Sequence, residues 1–135
     1  MTSPVQLVIA DDDANMRALV RATLQDDYED VVEVGDGREL FWRLVRASFA
    51  RRGEELRRLV VITDVRMPGY DGLDVLDAWQ DGPSDVPTIV ITSFPDDAVR
   101  ARVEQLGAVL LPKPFTRATL RAVVDEAVKR TSNEE

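Results

Sequence analysis

The sequence has no cysteine and no histidine. The first absence excludes disulfides, thiol catalysis and cysteine-ligated zinc. The second removes imidazole bases, histidine-containing triads and phosphohistidine chemistry on this chain. Long apolar runs are missing as well. None exceeds four residues, too short for a membrane-spanning helix. Met1–Ala10 has no Lys or Arg and no long apolar stretch, so no secretory signal is expected. Lysine is scarce: Lys113 and Lys129 stand against 15 Arg, which makes a position kept as Lys informative. Any chemistry must therefore use carboxylates, hydroxyls, Lys, Arg or a metal held by oxygen.

What is present is an ordinary globular mix, 44% hydrophobic and 31% charged, over 135 residues. That is room for one domain with one good core, so 1–135 reads as a single domain. The net charge of −8 argues against nucleic-acid binding by the whole chain. The charge is uneven, because residues 38–58 hold seven Arg against three Glu. No internal repeat, linker or low-complexity stretch interrupts the chain.

Short apolar runs alternate with helical periodicity. Val5–Ala10 reads as a buried strand stopped by Asp11-Asp12-Asp13, and a helix follows over roughly 14–26. Val31–Val34 is a second strand, with a helix from about Arg38 carrying Leu40, Phe41, Leu44 and Val45. Leu59–Thr63 is a third strand, ending at Asp64. After the Met67–Gly72 loop a third helix starts at Leu73, includes Trp79 and stops at Asp81-Gly82-Pro83. Thr88–Thr92 is a fourth strand. A helix from Pro95 and Asp96-Asp97 runs to Leu106, closed by Gly107. Ala108–Leu111 is a fifth strand. Thr116 caps the last helix, and the tail Thr131–Glu135 is expected to fray. Five βα units with uniformly apolar strands require cover on both faces, which predicts an α/β, doubly wound parallel sheet.

Open α/β sheets form sites at the carboxyl ends of their strands. Four of the five ends here carry chemistry: Asp11-Asp12, Asp64, Thr92-Ser93 and Lys113-Pro114. Each alone has a bland reading, as a turn, a cap, a strand-end hydroxyl or a surface Lys. Together, three carboxylates in one crevice cannot all stay ionised without a cation. With only oxygen donors that cation should be hard, Mg²⁺ or Mn²⁺. A divalent ion, a Lys, a hydroxyl and a lone nucleophilic carboxylate are the parts for phosphoryl transfer onto Asp.

At these residues the sequence resembles the response-regulator receiver domain of two-component signalling. The motifs are Asp11-Asp12, Asp64 within ITDVRMPGYDGL (62–73), Thr92 within PTIVITS (87–93) and Lys113 in KPF (113–115). The resemblance runs from about Val5 to Val128. It implies a flavodoxin-like (βα)5 fold with strand order 2-1-3-4-5, the order already known for chemotaxis regulators of this family. It implies that Asp64 is the phosphoacceptor and that Asp12, Asp64 and the main-chain carbonyl of Arg66 ligate Mg²⁺. Asp11 would act on the metal through water. Thr92 and Lys113 would bind the phosphoryl oxygens, and Lys113–Pro114 would be cis. The implied partners are a sensor histidine kinase or phosphotransfer protein and a downstream protein or output domain. No direct nucleic-acid contact and no membrane contact are implied, and the location is the cytoplasm. A stand-alone receiver and a piece of a longer regulator both stay open.

Three features depart from the family pattern. Leu110 stands where an aromatic is usual, Ser93 where Ala or Gly is usual, and Ala47–Arg58 is longer than expected, with Arg51, Arg52, Arg57 and Arg58. That segment is a solvated face or a docking patch for an acidic partner. Two other functions compete with a phosphorylatable switch. One is a degenerate receiver used only for protein contacts, which Leu110 keeps open. The other is a Mg²⁺-dependent phosphatase, which would want an acid two residues after the nucleophile, where Arg66 stands.

Overall fold

The computed structural model describes residues 5–49, 58–78 and 86–132. Five strands and five helices alternate: β1 (Val5–Ala10), α1 (Ala14–Leu24), β2 (Asp30–Val34), α2 (Gly37–Phe49), β3 (Arg58–Asp64), α3 (Gly72–Ala78), β4 (Thr88–Thr92), α4 (Asp97–Gln105), β5 (Val109–Pro112) and α5 (Arg117–Ser132). All strand pairings are parallel, in the order β2-β1-β3-β4-β5. The expected doubly wound sheet is present.

The strands read as continuous apolar runs because both faces are covered. Leu7, Ile9, Val60, Ile62, Ile89 and Ile91 pack against α1 and α5 through Val20, Leu24, Leu120 and Val124. On the other face Val8, Ala10, Val34 and Val61 meet Leu40 and Leu44 of α2 and Val75 of α3. Val90 completes that face with Leu73, Leu76 and Val103. Each fully buried aliphatic side chain contributes about 2 kcal/mol, so the sheet centre is the anchor of the fold. No helix among the described residues is long and apolar enough to cross a membrane.

Helix starts follow from short polar side chains. Asp13 accepts from the amides of Asn15 and Met16, and Asp36 from Glu39. Asp71 accepts from Asp74, Asp96 from Val99 and Thr116 from Thr119. Such caps satisfy amides that have no intrahelical partner.

Several boundaries differ from those expected. The first helix ends at Leu24 rather than 26: the Gln25 amide caps it on the Arg21 carbonyl, and the Asp27 amide makes a tighter turn onto the Leu24 carbonyl. That turn brings the Tyr28 hydroxyl to Asp125 of α5. Gly107, at φ 72°, closes α4 one residue early, and the Ala108 amide is used by the Val103 carbonyl. The fifth strand therefore covers Val109–Pro112 instead of 108–111. The last helix continues through Ser132, so Thr131 and Ser132 are helical rather than frayed. The rest of the tail, the stop at Asp81-Gly82-Pro83, Trp79 and the arginines at 51, 52 and 57 lie outside the described residues. Arg58 opens β3.

Candidate functional site

Register alone brings the first acids together. Ala10 is the neighbour of Thr63 across β1 and β3, so Asp11 leaves the sheet beside Asp64. Asp11 is 3% exposed, and its carboxylate accepts the Asp13 amide at 2.9 Å. Its own amide donates to the Val34 carbonyl at 3.2 Å. Asp12 is exposed and Asp64 half-buried, yet one carboxylate oxygen from each of Asp11, Asp12 and Asp64 lies within 4.8 Å of the others. Two like charges at that spacing repel by about 3 kcal/mol at an effective dielectric of about 20.

Lys113 enters from the end of β5. Its amide donates to the Thr92 carbonyl at 2.8 Å, and its peptide bond to Pro114 is cis. Nζ lies 3.8 Å from Asp64 Oδ2 and 4.0 Å from Asp11 Oδ2. Lys113 thus pairs with two of the three clustered carboxylates. Burial pushes Asp11 up from 3.8 to about 6; the Asp13 amide opposes this, the nearby Asp64 charge adds to it, and Lys113 only partly offsets the rise. Asp64 is also raised, first by burial, with Lys113 and the amides of Val65 and Arg66 pulling it back. Three carboxylates within reach of one point, all-oxygen donors and a charge deficit fit a hard divalent cation.

Thr92 is buried at the end of β4, and its hydroxyl accepts the Phe94 amide at 3.1 Å. It makes no hydrogen bond to the acid cluster among the described residues. Arg66 lies in the loop after Asp64, its guanidinium 5.4 Å from the centre of the exposed Phe94 ring. Ser93, between Thr92 and Phe94, is exposed. Leu110 is half-buried, next to Val90 in register and on the face Thr92 also occupies. Gly72 opens α3 hard against the end of β3. A Cβ there would stand 2.3 Å from the Asp64 carbonyl oxygen and 2.7 Å from Thr63 Oγ1.

The structure therefore brings together Asp11, Asp12, Asp64 and Lys113, with Thr92 at the end of β4 and Arg66 in the loop after β3. Three features escape the sequence reading: the Arg66–Phe94 stack, the Phe94 amide on Thr92, and Arg17. The Arg17 Nη1 donates to the Asp11 carbonyl at 2.6 Å. An Arg one helical turn beyond an acidic triplet is the signal that could have found it. The other two contacts depend on loop paths that no local pattern encodes.

Known proteins share this arrangement of chain and sequence. The family described as response regulator receiver domain matches residues 7–125. The transcriptional regulatory protein FixJ of Bradyrhizobium diazoefficiens is 30% identical over 131 residues, which is 96% of this chain and 60% of that protein. Response regulator MprA of Mycolicibacterium vanbaalenii is 33% identical over 132 residues, 96% of this chain and 52% of its own. The chain thus spans little more than half the length of these relatives. Among solved structures, the chemotaxis protein CheY4 of Vibrio cholerae superposes with a TM-score of 0.74 at 28% identity, covering 93% of this chain and 99% of that one. A CheY-like receiver domain from Methanospirillum hungatei gives 0.81 at 18% identity, covering 98% and 100%, a likeness of fold.

Proposed function

The chain belongs to the response-regulator receiver family, and from that premise we propose that it is a phosphorylation-dependent switch with Asp64 as phosphoacceptor. The donor is the phosphohistidine of a sensor histidine kinase or phosphotransfer protein. A carboxylate oxygen of Asp64 attacks phosphorus in line; the P–N bond breaks and its electron pair stays on the departing imidazole. The observation that carries this reading is Lys113, whose Nζ is within 4.0 Å of both Asp11 and Asp64. A cation shared between acids at two strand ends is placed to pair with a phosphoryl oxygen on Asp64.

Receiver domains bind Mg²⁺ at an acidic pocket, and the Asp11–Asp12–Asp64 cluster fits one. In this proposal Asp12, Asp64 and the main-chain carbonyl of Arg66 are direct ligands, and Asp11 acts through water. When bound there, Mg²⁺ would supply charge to offset the clustered acids and the phosphoryl oxygens, and Mn²⁺ would suit the same donors. The Thr92 hydroxyl can accept from Phe94 and donate to a phosphoryl oxygen together, so its local hydrogen bond survives modification. The protein modifies and turns over its own aspartyl phosphate; it does not act catalytically on another substrate. Its cytoplasmic setting, and an output domain or separate downstream protein, belong to the same proposal.

A second reading has one observation in its favour. Leu110 packs against the buried cluster of Val65, Leu73, Leu76, Val90 and Val103 and has no ring. A receiver fixed in one conformation, binding partners without phosphorylation, would look the same there. Intact mass separates the two. With Mg²⁺ and a small acyl phosphate, wild type should gain one phosphoryl group and Asp64→Asn none. No adduct on wild type at saturating donor, or one that persists in Asp64→Asn, would overturn the switch.

A further inference from the structure

Arg17 is the residue of the site region that the mechanism leaves unused. It is largely buried for an arginine, 21% exposed in its side chain. Its guanidinium spans three elements. From α1, Nη1 donates to the Asp11 carbonyl at 2.6 Å and Nε donates to Glu33 Oε1 of β2 at 3.1 Å. The same Nη1 would lie 3.5 Å from a Cβ at Gly35, so the group fills the space where β1 and β2 end. Glu33 is itself held. Its second oxygen accepts Arg21 Nε at 2.6 Å, and Arg21 Nη2 donates to the Val31 carbonyl at 2.8 Å.

The consequence is mechanical. Arg17 grips the peptide that joins Asp11 to Asp12, the two acids whose carboxylates face Asp64 while repelling it. A β1–α1 turn carrying three successive Asp would relieve that repulsion by swinging Asp12 outward. The guanidinium, anchored through Glu33 to the neighbouring strand, opposes that swing.

We propose that Arg17 is a positioning residue for the acid pocket: by tying the Asp11 carbonyl to Glu33, it holds Asp11 and Asp12 in the arrangement that binds a divalent cation. The inference rests on the proposed function, since it concerns the same cation. The fold supplies its own control. Arg17 and Arg21 both pair with Glu33, but only Arg17 reaches Asp11, so loss of Arg21 weakens the network without releasing the acid turn.

The test is a Mg²⁺ titration of the metal-free full chain, followed by the amide shifts of Asp12 and Asp13, with thermal melting of each variant alongside. Arg17→Ala should weaken Mg²⁺ binding by about tenfold, as loss of groups that orient metal ligands commonly does. Arg17→Lys, which keeps one donor, should recover part of that loss. Arg21→Ala should leave the affinity within about twofold of wild type even where its melting temperature falls. Equal affinities for Arg17→Ala and Arg21→Ala would overturn the inference. If Arg17→Ala does not fold, Arg17→Lys decides: binding weaker than Arg21→Ala supports the inference, and binding as tight overturns it. A wild type with no Mg²⁺ response overturns the proposed function and this inference together. A wild-type response unchanged in the folded Arg17 variants overturns this inference alone.

Discussion

Two sets of carboxylates on one sheet are treated in opposite ways. Glu33 lies beside Ile9 in register, two residues short of Asp11 along the sheet. Its carboxyl is held below the usual range, first by the hydrogen bond from Arg21 and against burial, with Arg17 adding to the pull. Asp11 and Asp64 are raised, first by burial. The arginines of α1 satisfy Glu33 and offer Asp11 only a contact to its main-chain oxygen. The fold could have neutralised its acid pocket with the same residue type and does not. A pocket left short of positive charge costs stability when empty and gains it when a cation arrives, which is what a binding site requires.

The largest break in this contrast is expected from Gly72→Ala. A Cβ cannot fit 2.3 Å from the Asp64 carbonyl, so α3 or the end of β3 must move. Urea unfolding should show a loss of about 3 kcal/mol or more, and a loss under about 1 would mean that the contact between α3 and the end of β3 yields easily. Asp11→Asn comes next and has the opposite sign. It should stabilise the metal-free protein at neutral pH by about 2 kcal/mol while weakening Mg²⁺ binding. A variant less stable than wild type without metal would show that Asp11 is not strained.

The pH dependence separates the two sets further. Asp11 titrates higher folded than unfolded, so the native state keeps its proton as the unfolded state loses it. Metal-free stability should therefore fall as pH rises from about 4 through about 6, and Asp11→Asn should flatten that fall. Glu33 titrates lower folded than unfolded, so its contribution is present above the usual glutamate range and lost as pH drops. Glu33→Gln should remove that acid-side loss and cost about 1 kcal/mol at neutral pH. The smallest effect concerns salt. Raising it should weaken the Glu33 pairs and relieve the pocket, shifting the two variants in opposite directions by a few tenths of a kcal/mol. Parallel shifts would remove the contrast.

Much of the molecule is decided along the chain, for local reasons. Apolar runs such as LVIA (7–10) and LVVI (59–62) can only be strands covered on both sides, and they are. Asp13, Asp36, Asp71, Asp96 and Thr116 stop the coil and start helices through bonds two or three residues away. Since parallel strands place their carboxyl ends together, Asp11, Asp12, Asp64 and Lys113 are legible as one cluster from their strand-end positions alone. The tertiary structure decided what depends on residues distant in the chain. It paired Tyr28 with Asp125 and ended α1 early, and it gave Glu33 its two arginines. It stacked Arg66 on Phe94, and it set Arg17 on the Asp11 carbonyl. Spacing reveals which groups can share a strand end. Only packing reveals which charges are answered and which are left for a ligand, because burial and Coulomb energy depend on every element that comes within a few ångströms.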